Sequence, residues 1–296
     1  MQNFKKITID DRDILSQYLG SAKHYSCDYC LGNIILWADM FNTHYTVETD
    51  MLFIEFTYDN KNYFAFPMGK GDLKTAFEWL FSYCEQNGKE FKMNIIEPHM
   101  FEKVEKMFPG KFEISYKRNN ADYVYNTQEL KELSGRKYHK KKNHINKFLK
   151  HYKNWSYERI SNENTEECIE MVEEWCARNN CLDEKQKSQE VLVVTKGLKH
   201  VGELNLLGGL IRVNEKIAAM TLGEKCSDDM FVIHFEKAFS DVLGAYPMIN
   251  QQFIIHELSG YKYINREEDL GIEGLRKAKE SYYPAFMVEK GILKRK

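Results

Sequence analysis

Residues that could act on an acyl group or hold an anion are concentrated toward the end of the sequence. A predicted strand ends in Asn265 and Arg266, and an acidic loop containing Asp269 leads into a predicted helix that carries Arg276 and Lys279. Arg276 and Lys279 are three residues apart and therefore share a helix face. There the guanidinium fork and the ammonium point charge can hold one anionic group together. Asp269 precedes the helix, where a capping residue stands.

A second candidate group lies on the strand predicted over Met230–Glu236. Alternate residues of a strand face the same side, so we expect His234 and Glu236 to project together. A carboxylate at the end of a strand suits a general base, with Tyr282 as the acid, and the neighbouring Lys237 is a further candidate for holding an anion. The same side chains also fit an ion-pair network that braces two elements, and the residues alone leave both interpretations open.

A strongly basic segment lies between these regions and the first half of the chain. No acidic residue occurs between Gly135 and Ser156, and apolar residues recur there at helical spacing. We predict an amphipathic helix over about residues 135–153, with Arg136, Lys140 and Lys147 roughly aligned on one face. Its cations are Arg136, Lys137, Lys140, Lys141, Lys142, Lys147, Lys150 and Lys153.

This predicted helix has two interpretations. A solvated helix that docks by its apolar stripe is the simpler one. Because like charges on successive turns repel, the second is contact with a polyanion: a tRNA backbone, a coenzyme phosphate or an anionic lipid head group. Insertion into a membrane surface is the weaker version of the second, since two tyrosines share the apolar face.

Composition limits the class of protein. The 296 residues carry 42 Lys+Arg and 44 Asp+Glu, a net charge of −2, which excludes a globally basic nucleic-acid binder. The sequence has neither an apolar run long enough to span a bilayer nor a signal-peptide core, so we expect a cytoplasmic location. Seven scattered cysteines favour reduced thiols. Cys27 and Cys30 form a C-x-x-C, for which we favour a structural role over a metal or redox site, and no metal is expected.

The order of predicted elements indicates an α+β fold in both halves. In the first half, a hairpin spans Met51–Pro67, Asp72 caps a helix, and a further hairpin pairs Lys111–Tyr116 with Asp122–Tyr125. The second half has a helix near Thr165–Asn179, followed by a hairpin, a central strand and further helices and strands. We therefore predict two domains, over residues 1–128 and 129–296.

Several segments together resemble the family of the phosphatidylglycerol lysyltransferase C-terminal domain, a tandem of two GNAT-like (acyl-CoA N-acyltransferase) folds, each with a mixed, mostly antiparallel sheet flanked by helices. The segments lie in both halves. They are Asp122–Tyr125, Leu133–Lys137 with the lysines that follow, His234–Ala238, Asn265–Gly271, Gly274–Lys279 and Ser281–Pro284.

This resemblance implies transfer of an aminoacyl group from aminoacyl-tRNA to an amine or hydroxyl acceptor, which in the membrane enzymes of the family is a lipid. It places Glu236, Asp269, Arg276 and Lys279 at the transfer site and the lysine-rich helix against phosphate. No tightly bound cofactor is implied, and aminoacyl-tRNA or acyl-CoA is the expected co-substrate.

The sequence departs from the pattern in two ways. We expect no counterpart here of the membrane-embedded region of the lipid-modifying enzymes. The stretch Phe239–Tyr246 contains one glycine and no basic residue at its start, so the signal for a pyrophosphate loop is poor. Two alternatives to a transferase follow: a non-catalytic RNA- or nucleotide-binding module, and a degenerate acyltransferase that acts as an interaction or regulatory protein.

Overall fold

The computed structural model describes residues 4–20, 24–180 and 185–296, so Cys181 lies outside the described residues. Contacts divide the chain into two compact units. The first contains residues 1–122, 268–273 and 287–296, and the second contains residues 123–267 and 274–286. The predicted division after residue 128 assigned the two short C-terminal segments of the first unit to the second domain.

The first unit is built on an eight-stranded sheet. Its strands are β1 (Lys5–Lys6), β2 (His44–Glu48), β3 (Met51–Tyr58), β4 (Lys61–Phe64), β5 (Met68–Gly69), β6 (Lys92–Ile96), β7 (Phe112–Tyr116) and β15 (Gly291–Arg295). Their order in the sheet is β1-β2-β3-β4-β6-β15-β7, and β5 pairs with β3. Strand β15 pairs antiparallel with both β6 and β7. The sheet is therefore completed by a strand that comes about 175 residues after β7.

The helices of the first unit are α1 (Arg12–Leu19), α2 (Leu31–Leu36), α3 (Leu73–Gln86) and α4 (Pro98–Met107). Of these, α3 is the helix that the sequence predicts. The carboxylate of Asp72 accepts a hydrogen bond of 2.8 Å from the backbone N–H of Thr75, which confirms Asp72 as the cap of α3. Phe77 and Leu80 on the buried face of α3 are fully enclosed.

A seven-stranded sheet with the order β14-β8-β13-β12-β11-β10-β9 forms the core of the second unit. Its strands are β8 (Asp122–Asn126), β9 (Trp155–Arg159), β10 (Leu207–Val213), β11 (Lys216–Lys225), β12 (Met230–Ala238), β13 (Tyr263–Asn265) and β14 (Phe286–Val288). Strand β12 stands in the middle, as its apolar run predicts. It pairs antiparallel with β11 and parallel with β13.

The helices numbered after β8 are α5 (Thr127–Glu132), α6 (His139–His151), α7 (Thr165–Arg178), α8 (Lys185–Lys199), α9 (Ala245–Phe253) and α10 (Glu273–Glu280). A short 3₁₀ turn over Arg136–Tyr138 precedes α6, so the predicted basic helix is present. Tyr138, Ile145 and Phe148 are its buried residues. Beyond α9 the chain continues as a π-helical turn, Ile254–Leu258.

The predicted hairpin between Lys111–Tyr116 and Asp122–Tyr125 is wrong. Both strands exist, but β7 pairs with β15 in the first sheet and β8 pairs with β13 in the second. The intervening residues form a 3₁₀ turn, Arg118–Asn120. A local pattern of strand residues around a polar turn therefore identified the strands but not their partners.

Candidate functional site

Polar side chains gather in the second unit where two parallel strands stop pairing. Strands β12 and β13 are paired through Met230–Val232 and Tyr263–Asn265. Glu236 lies further along β12, and Arg266 directly follows β13. The carboxyl ends of neighbouring parallel strands are a common location for ligand sites in α/β sheets. The carboxyl ends of β12 and β13 are therefore the candidate site.

A β-bulge at His234 distorts β12 just before the site. Leu222 of β11 pairs with Phe235 and Gly223 pairs with Ile233, so His234 is the extra residue. A Cβ on Gly223 would stand 2.1 Å from the carbonyl oxygen of Val232. Glycine therefore permits the close approach of the two strands at the bulge.

The His234 side chain is fully enclosed between two carboxylates. Its Nε2 lies 2.9 Å from Glu224 Oε1, and its Nδ1 lies 2.7 Å from Glu267 Oε1. Burial by itself lowers the pKa of His234, but the hydrogen bonds with Glu224 and Glu267 outweigh it and raise the pKa to about 10. His234 is therefore a fixed imidazolium that braces β11, β12 and the segment after β13, rather than a group that exchanges protons near neutrality.

We expect His234→Gln to lower the free energy of unfolding by about 3 kcal/mol at pH 6, because two buried carboxylates lose their cation. The folded-state pKa of His234 lies above the ordinary value of 6.5. Its stabilising contribution is thus complete below pH 6.5, declines as the pH rises, and is lost above about pH 10. Denaturant unfolding of the parent and the variant from pH 6 to 10 measures the difference between their free energies of unfolding. A difference that stays constant across that range contradicts the charged-histidine interpretation. His200→Gln, which changes an exposed His–Glu pair, is the control.

Arg266 is the centre of a second cluster in the same unit. Its Nη2 donates to Glu236 Oε1 at 2.9 Å, and Asn250 Nδ2 donates to Glu236 Oε2 at 3.0 Å. The guanidinium lies 4.8 Å from the ring centre of Tyr282 and 5.8 Å from that of Tyr125. Its Nη1 is buried and has no hydrogen-bond acceptor among the described residues. A charged donor without an acceptor is costly to bury, so this atom marks a place for a ligand oxygen.

Both tyrosines of this cluster remain protonated. Burial raises the pKa of Tyr282 and of Tyr125 well above the ordinary value, and the positive charge of Arg266 only partly opposes it. A hydrogen bond between Tyr282 and Arg266 also opposes the rise for Tyr282. The hydroxyl of Tyr125 donates to the carbonyl oxygen of Lys279 at 2.9 Å. The ammonium of Lys279 in turn donates to the carbonyl oxygen of Arg266 at 2.5 Å. These bonds fix the backbone on which Arg266 stands.

An open cleft of about 310 Å³ lies between α6 and the start of α9. Its lining residues are Lys141, His144, Phe239, Ser240, Val242, Gly244, Ala245, Tyr246 and Pro247. Gly244 has a φ of 83°, and a Cβ there would stand 2.4 Å from the carbonyl oxygen of His144. This glycine therefore allows the backbone before α9 to approach α6 closely.

Lys141 is counted among the cations of the basic helix, but the sequence did not mark it as a site residue. Its Nζ lies 3.9 Å from the ring centre of Tyr282. Burial, aided by the charge of Arg266 and opposed by Glu236, lowers the pKa of Lys141 to about 8. Its position three residues after Tyr138 and four before Ile145 puts it on the apolar stripe of the helix. The sequence signal for this residue was a lysine at a position where the helical spacing predicts an apolar side chain.

The structure separates the remaining predicted residues of the second unit by environment. Asn265 is buried, and its side-chain oxygen accepts from the backbone N–H of Glu267 at 2.7 Å. Lys237 is buried in an ion pair of 2.8 Å with Glu190 and lies 4.1 Å from the ring centre of Trp175. Lys237 therefore already has an anionic partner within the protein. Arg136, Lys140 and Lys147 are exposed, and no ion pair holds them within the part of the chain that the structure describes.

Three residues of the predicted C-terminal group have other surroundings. Asp269 belongs to the first unit, where it is fully buried, lies 3.4 Å from Nη1 of Arg118 and accepts from the backbone N–H of Gly271 at 2.8 Å. Arg276 and Lys279 are half-exposed on α10, in the second unit. That they hold one anion together stays a prediction.

A buried charge cluster in the first unit surrounds Lys290. Its Nζ lies 2.7 Å from Asp28 Oδ2, 2.7 Å from Asp122 Oδ1 and 3.1 Å from Glu268 Oε2. Burial lowers the pKa of Lys290, but Asp122 and Asp28 outweigh it and hold the pKa well above the ordinary value. The ammonium is therefore a permanent cation among three carboxylates.

The C-x-x-C contributes its first thiol to this cluster. Cys27 Sγ lies 3.8 Å from Lys290 Nζ, and Cys30 is also buried. One ligand atom each of Cys27, Asp122 and Glu268 lie within 4.8 Å of one another, which is close enough to hold a metal ion. The Lys290 ammonium contacts all three of these side chains.

Comparison with known proteins identifies the family. The model of the phosphatidylglycerol lysyltransferase C-terminal family matches residues 20–291. The chain belongs to this family. The resemblance inferred from the sequence motifs is thereby confirmed, together with the transferase class that it implies.

Solved structures agree with this assignment at the level of the fold. A conserved protein of unknown function from Bacteroides thetaiotaomicron is 35% identical, with complete coverage of both chains and a TM-score of 0.94. The C-terminal domain of a putative lysylphosphatidylglycerol synthetase from Agrobacterium fabrum is 12% identical over 96% of this chain and 90% of its own, with a TM-score of 0.68. L-PGS from Bacillus licheniformis is 14% identical over 96% and 91%, with a TM-score of 0.66.

These findings confirm the predicted fold class: an α+β chain with two mixed sheets flanked by helices, consistent with tandem GNAT-like units. A curated relative, an uncharacterized protein of Mycoplasmoides gallisepticum, is 25% identical over 183 residues, or 60% of this chain. The match spans 56% of the length of that relative. Within the described residues, no helix combines the length and apolar character needed to cross a bilayer.

Proposed function

We propose that this protein transfers an aminoacyl group from aminoacyl-tRNA to a hydroxyl or amine acceptor, such as a lipid head group. Membership of the phosphatidylglycerol lysyltransferase family supports the class of reaction. The observation that carries the proposal for this chain is the buried Nη1 of Arg266, a charged donor that lacks an acceptor among the described residues. It is suited to the carbonyl oxygen of an acyl group.

The proposed reaction needs one nucleophile, one carbonyl and one leaving oxygen. The acceptor oxygen or nitrogen attacks the carbonyl carbon of the aminoacyl ester, and the bond from that carbon to the ribose oxygen breaks. The proton lost by the acceptor ends on the ribose oxygen. Arg266 stabilises the oxyanion that forms between these two events, and this is the step at which a fixed cationic donor accelerates acyl transfer.

Glu236 serves this reaction best by positioning Arg266. One of its oxygens accepts from Arg266 and the other accepts from Asn250, so both are engaged. Tyr282 carries a protonated hydroxyl, which suits the donation of a proton or hydrogen bond to the leaving oxygen. We therefore propose that Glu236 positions Arg266, in place of the role of general base that its location on the strand suggested.

The exposed cations of α6 and the turn before it are proposed to contact the tRNA backbone. Replacing Arg136, Lys140 and Lys147 together by Ala should weaken tRNA binding and flatten its dependence on salt. Three lost phosphate contacts correspond to a change of about 2 to 3 in the slope of log K against log [salt]. Binding measured by fluorescence anisotropy between 50 and 200 mM salt tests this expectation.

The matched control replaces three exposed lysines of the first unit, Lys70, Lys103 and Lys106, by Ala. It removes the same charge from a different surface. If both triple variants lose the same affinity and the same slope, the effect is one of net charge, and α6 is not the tRNA contact.

A reconstituted transfer assay tests the function itself. The purified protein is incubated with lysyl-tRNA labelled in the lysyl group and with phosphatidylglycerol vesicles, and label is measured in the extracted lipid. A second arm replaces the vesicles by soluble amines and alcohols, and a third replaces the tRNA by labelled acetyl-CoA. Label in the lipid or a soluble acceptor from lysyl-tRNA supports the proposal. Transfer from acetyl-CoA alone assigns the protein to acyl-CoA chemistry and overturns it.

A further inference from the structure

Lys141 combines features that are unusual for a lysine in a cationic helix. Its neighbours Lys140 and Lys142 are exposed, whereas Lys141 is half-buried because it lies on the apolar stripe of α6. Lys141 lines the open 310 Å³ cleft beside Phe239 and Tyr246. This lysine is therefore partly desolvated, yet it borders a cleft that opens to solvent.

The charged groups around Lys141 do not give it a direct anionic partner. Among the described residues no carboxylate forms an ion pair with its Nζ, which lies over the face of the Tyr282 ring, 3.9 Å from the ring centre. Arg266 disfavours the ammonium form, and Glu236, which favours it, is already paired with Arg266. His144 lines the same cleft from the next turn of α6.

We propose that the Lys141 amine is a nucleophilic site at which activated acyl donors, acyl thioesters or acyl phosphates, modify this protein. The neutral amine nitrogen attacks the acyl carbonyl carbon, the bond from that carbon to the thiolate or phosphate leaving group breaks, and an amide forms. The nitrogen gives up one proton, which goes to the leaving group or to water. No oxidant, reductant or metal takes part.

The chemical basis is the fraction of uncharged amine. With a pKa of about 8, about a quarter of Lys141 is neutral at pH 7.5, compared with about one in a thousand for an ordinary lysine. Nucleophilicity declines together with basicity, so the advantage in rate is smaller than the ratio of these fractions. We expect Lys141 to react about tenfold faster than its exposed neighbours.

The product would alter the cleft. An amide carries no charge, so acylation removes a cation beside Arg266 and Tyr282 and fills part of the cleft with the acyl group. Amides are stable under these conditions, and the modification is therefore an end point rather than an intermediate of transfer. The extent of acylation at Lys141 would therefore increase with the amount of activated acyl donor that the protein meets.

Competitive labelling tests the proposal. The folded protein is incubated at pH 7.5 with acetyl-CoA and, separately, with acetyl phosphate. It is then cleaved by a protease that cuts after Glu, and fragment ions distinguish acetylation of Lys140, Lys141 and Lys142. The matched control repeats the reaction in 8 M urea, where burial is removed. The expected result is about a tenfold preference for Lys141 in the folded protein at pH 7.5. The preference is lost at pH 10.5, where the exposed lysines are also largely neutral, and in urea.

Equal or slower acetylation of Lys141 in the folded protein overturns the proposal, as does a preference that persists in urea. This readout requires neither tRNA nor an acceptor. It therefore fails or succeeds independently of the transfer assay, and a protein that transfers aminoacyl groups without selective acetylation of Lys141 refutes this inference alone.

Discussion

Arg266→Lys is expected to lower the turnover number for acyl transfer by about 100- to 1,000-fold, with a smaller change in KM. Lysine keeps the positive charge next to Glu236 but lacks the second donor of the guanidinium fork. The buried Nη1, which has no acceptor within the described chain, is the atom removed. Loss of a donor that acts on the transition state lowers the turnover number rather than substrate binding.

The same transfer assay with purified variants measures this effect. Arg159→Lys is the matched control, because Arg159 is an exposed arginine of the same unit that lies 3.7 Å from Glu257. Equal melting temperatures of the two variants would show that both are folded. An Arg266→Lys protein with a turnover number within threefold of the parent would remove Arg266 from the proposed mechanism.

Lys290→Met is expected to lower the free energy of unfolding by about 3–5 kcal/mol, the usual cost of removing one partner from a buried charge pair. Asp28, Asp122 and Glu268 would lose the cation that they share, and the side chain of Asp122 is fully buried. Urea unfolding of both proteins at pH 8 measures this loss of stability.

Two comparisons make the Lys290 result specific. Lys225→Met removes a lysine from an exposed pair with Asp228 and should change the free energy by less than about 1 kcal/mol. Adding Asp28→Asn and Glu268→Gln to Lys290→Met should restore part of the lost stability. A Lys290→Met protein as stable as the parent at pH 8 would show that the cluster does not hold the first unit together.

Features that depend on neighbours in sequence were predicted well. The cap at Asp72, the apolar stripe of α6 and the central strand β12 each follow from spacing within a few residues. Family membership was also visible, because its motifs are short and local. The sheet partners of β7 and β8 were not predicted correctly. Antiparallel strands of similar composition pair equally well until the rest of the chain is in place.

The candidate site shows the same limit. Arg276 was placed at the centre of the site because it shares a helix face with Lys279, yet Arg266 is the arginine whose donor is buried without an acceptor among the described residues. Pairing of β13 with both β12 and β8 buries the chain beside Arg266, and spacing along the sequence does not reveal that. The partner of Asp269 was missed for a similar reason, since Arg118 is 151 residues away.

The late arrival of β15 has a consequence for synthesis on the ribosome. Strands β6 and β7 are made early, but the strand that joins them follows about 175 residues later. At 5–20 residues per second, the two nascent strand edges would wait about 9 to 35 s for their partner. Unpaired edges are templates for association with other chains. Slowed translation before residue 291 should therefore favour aggregation of this protein, even though its amino-acid sequence stays the same.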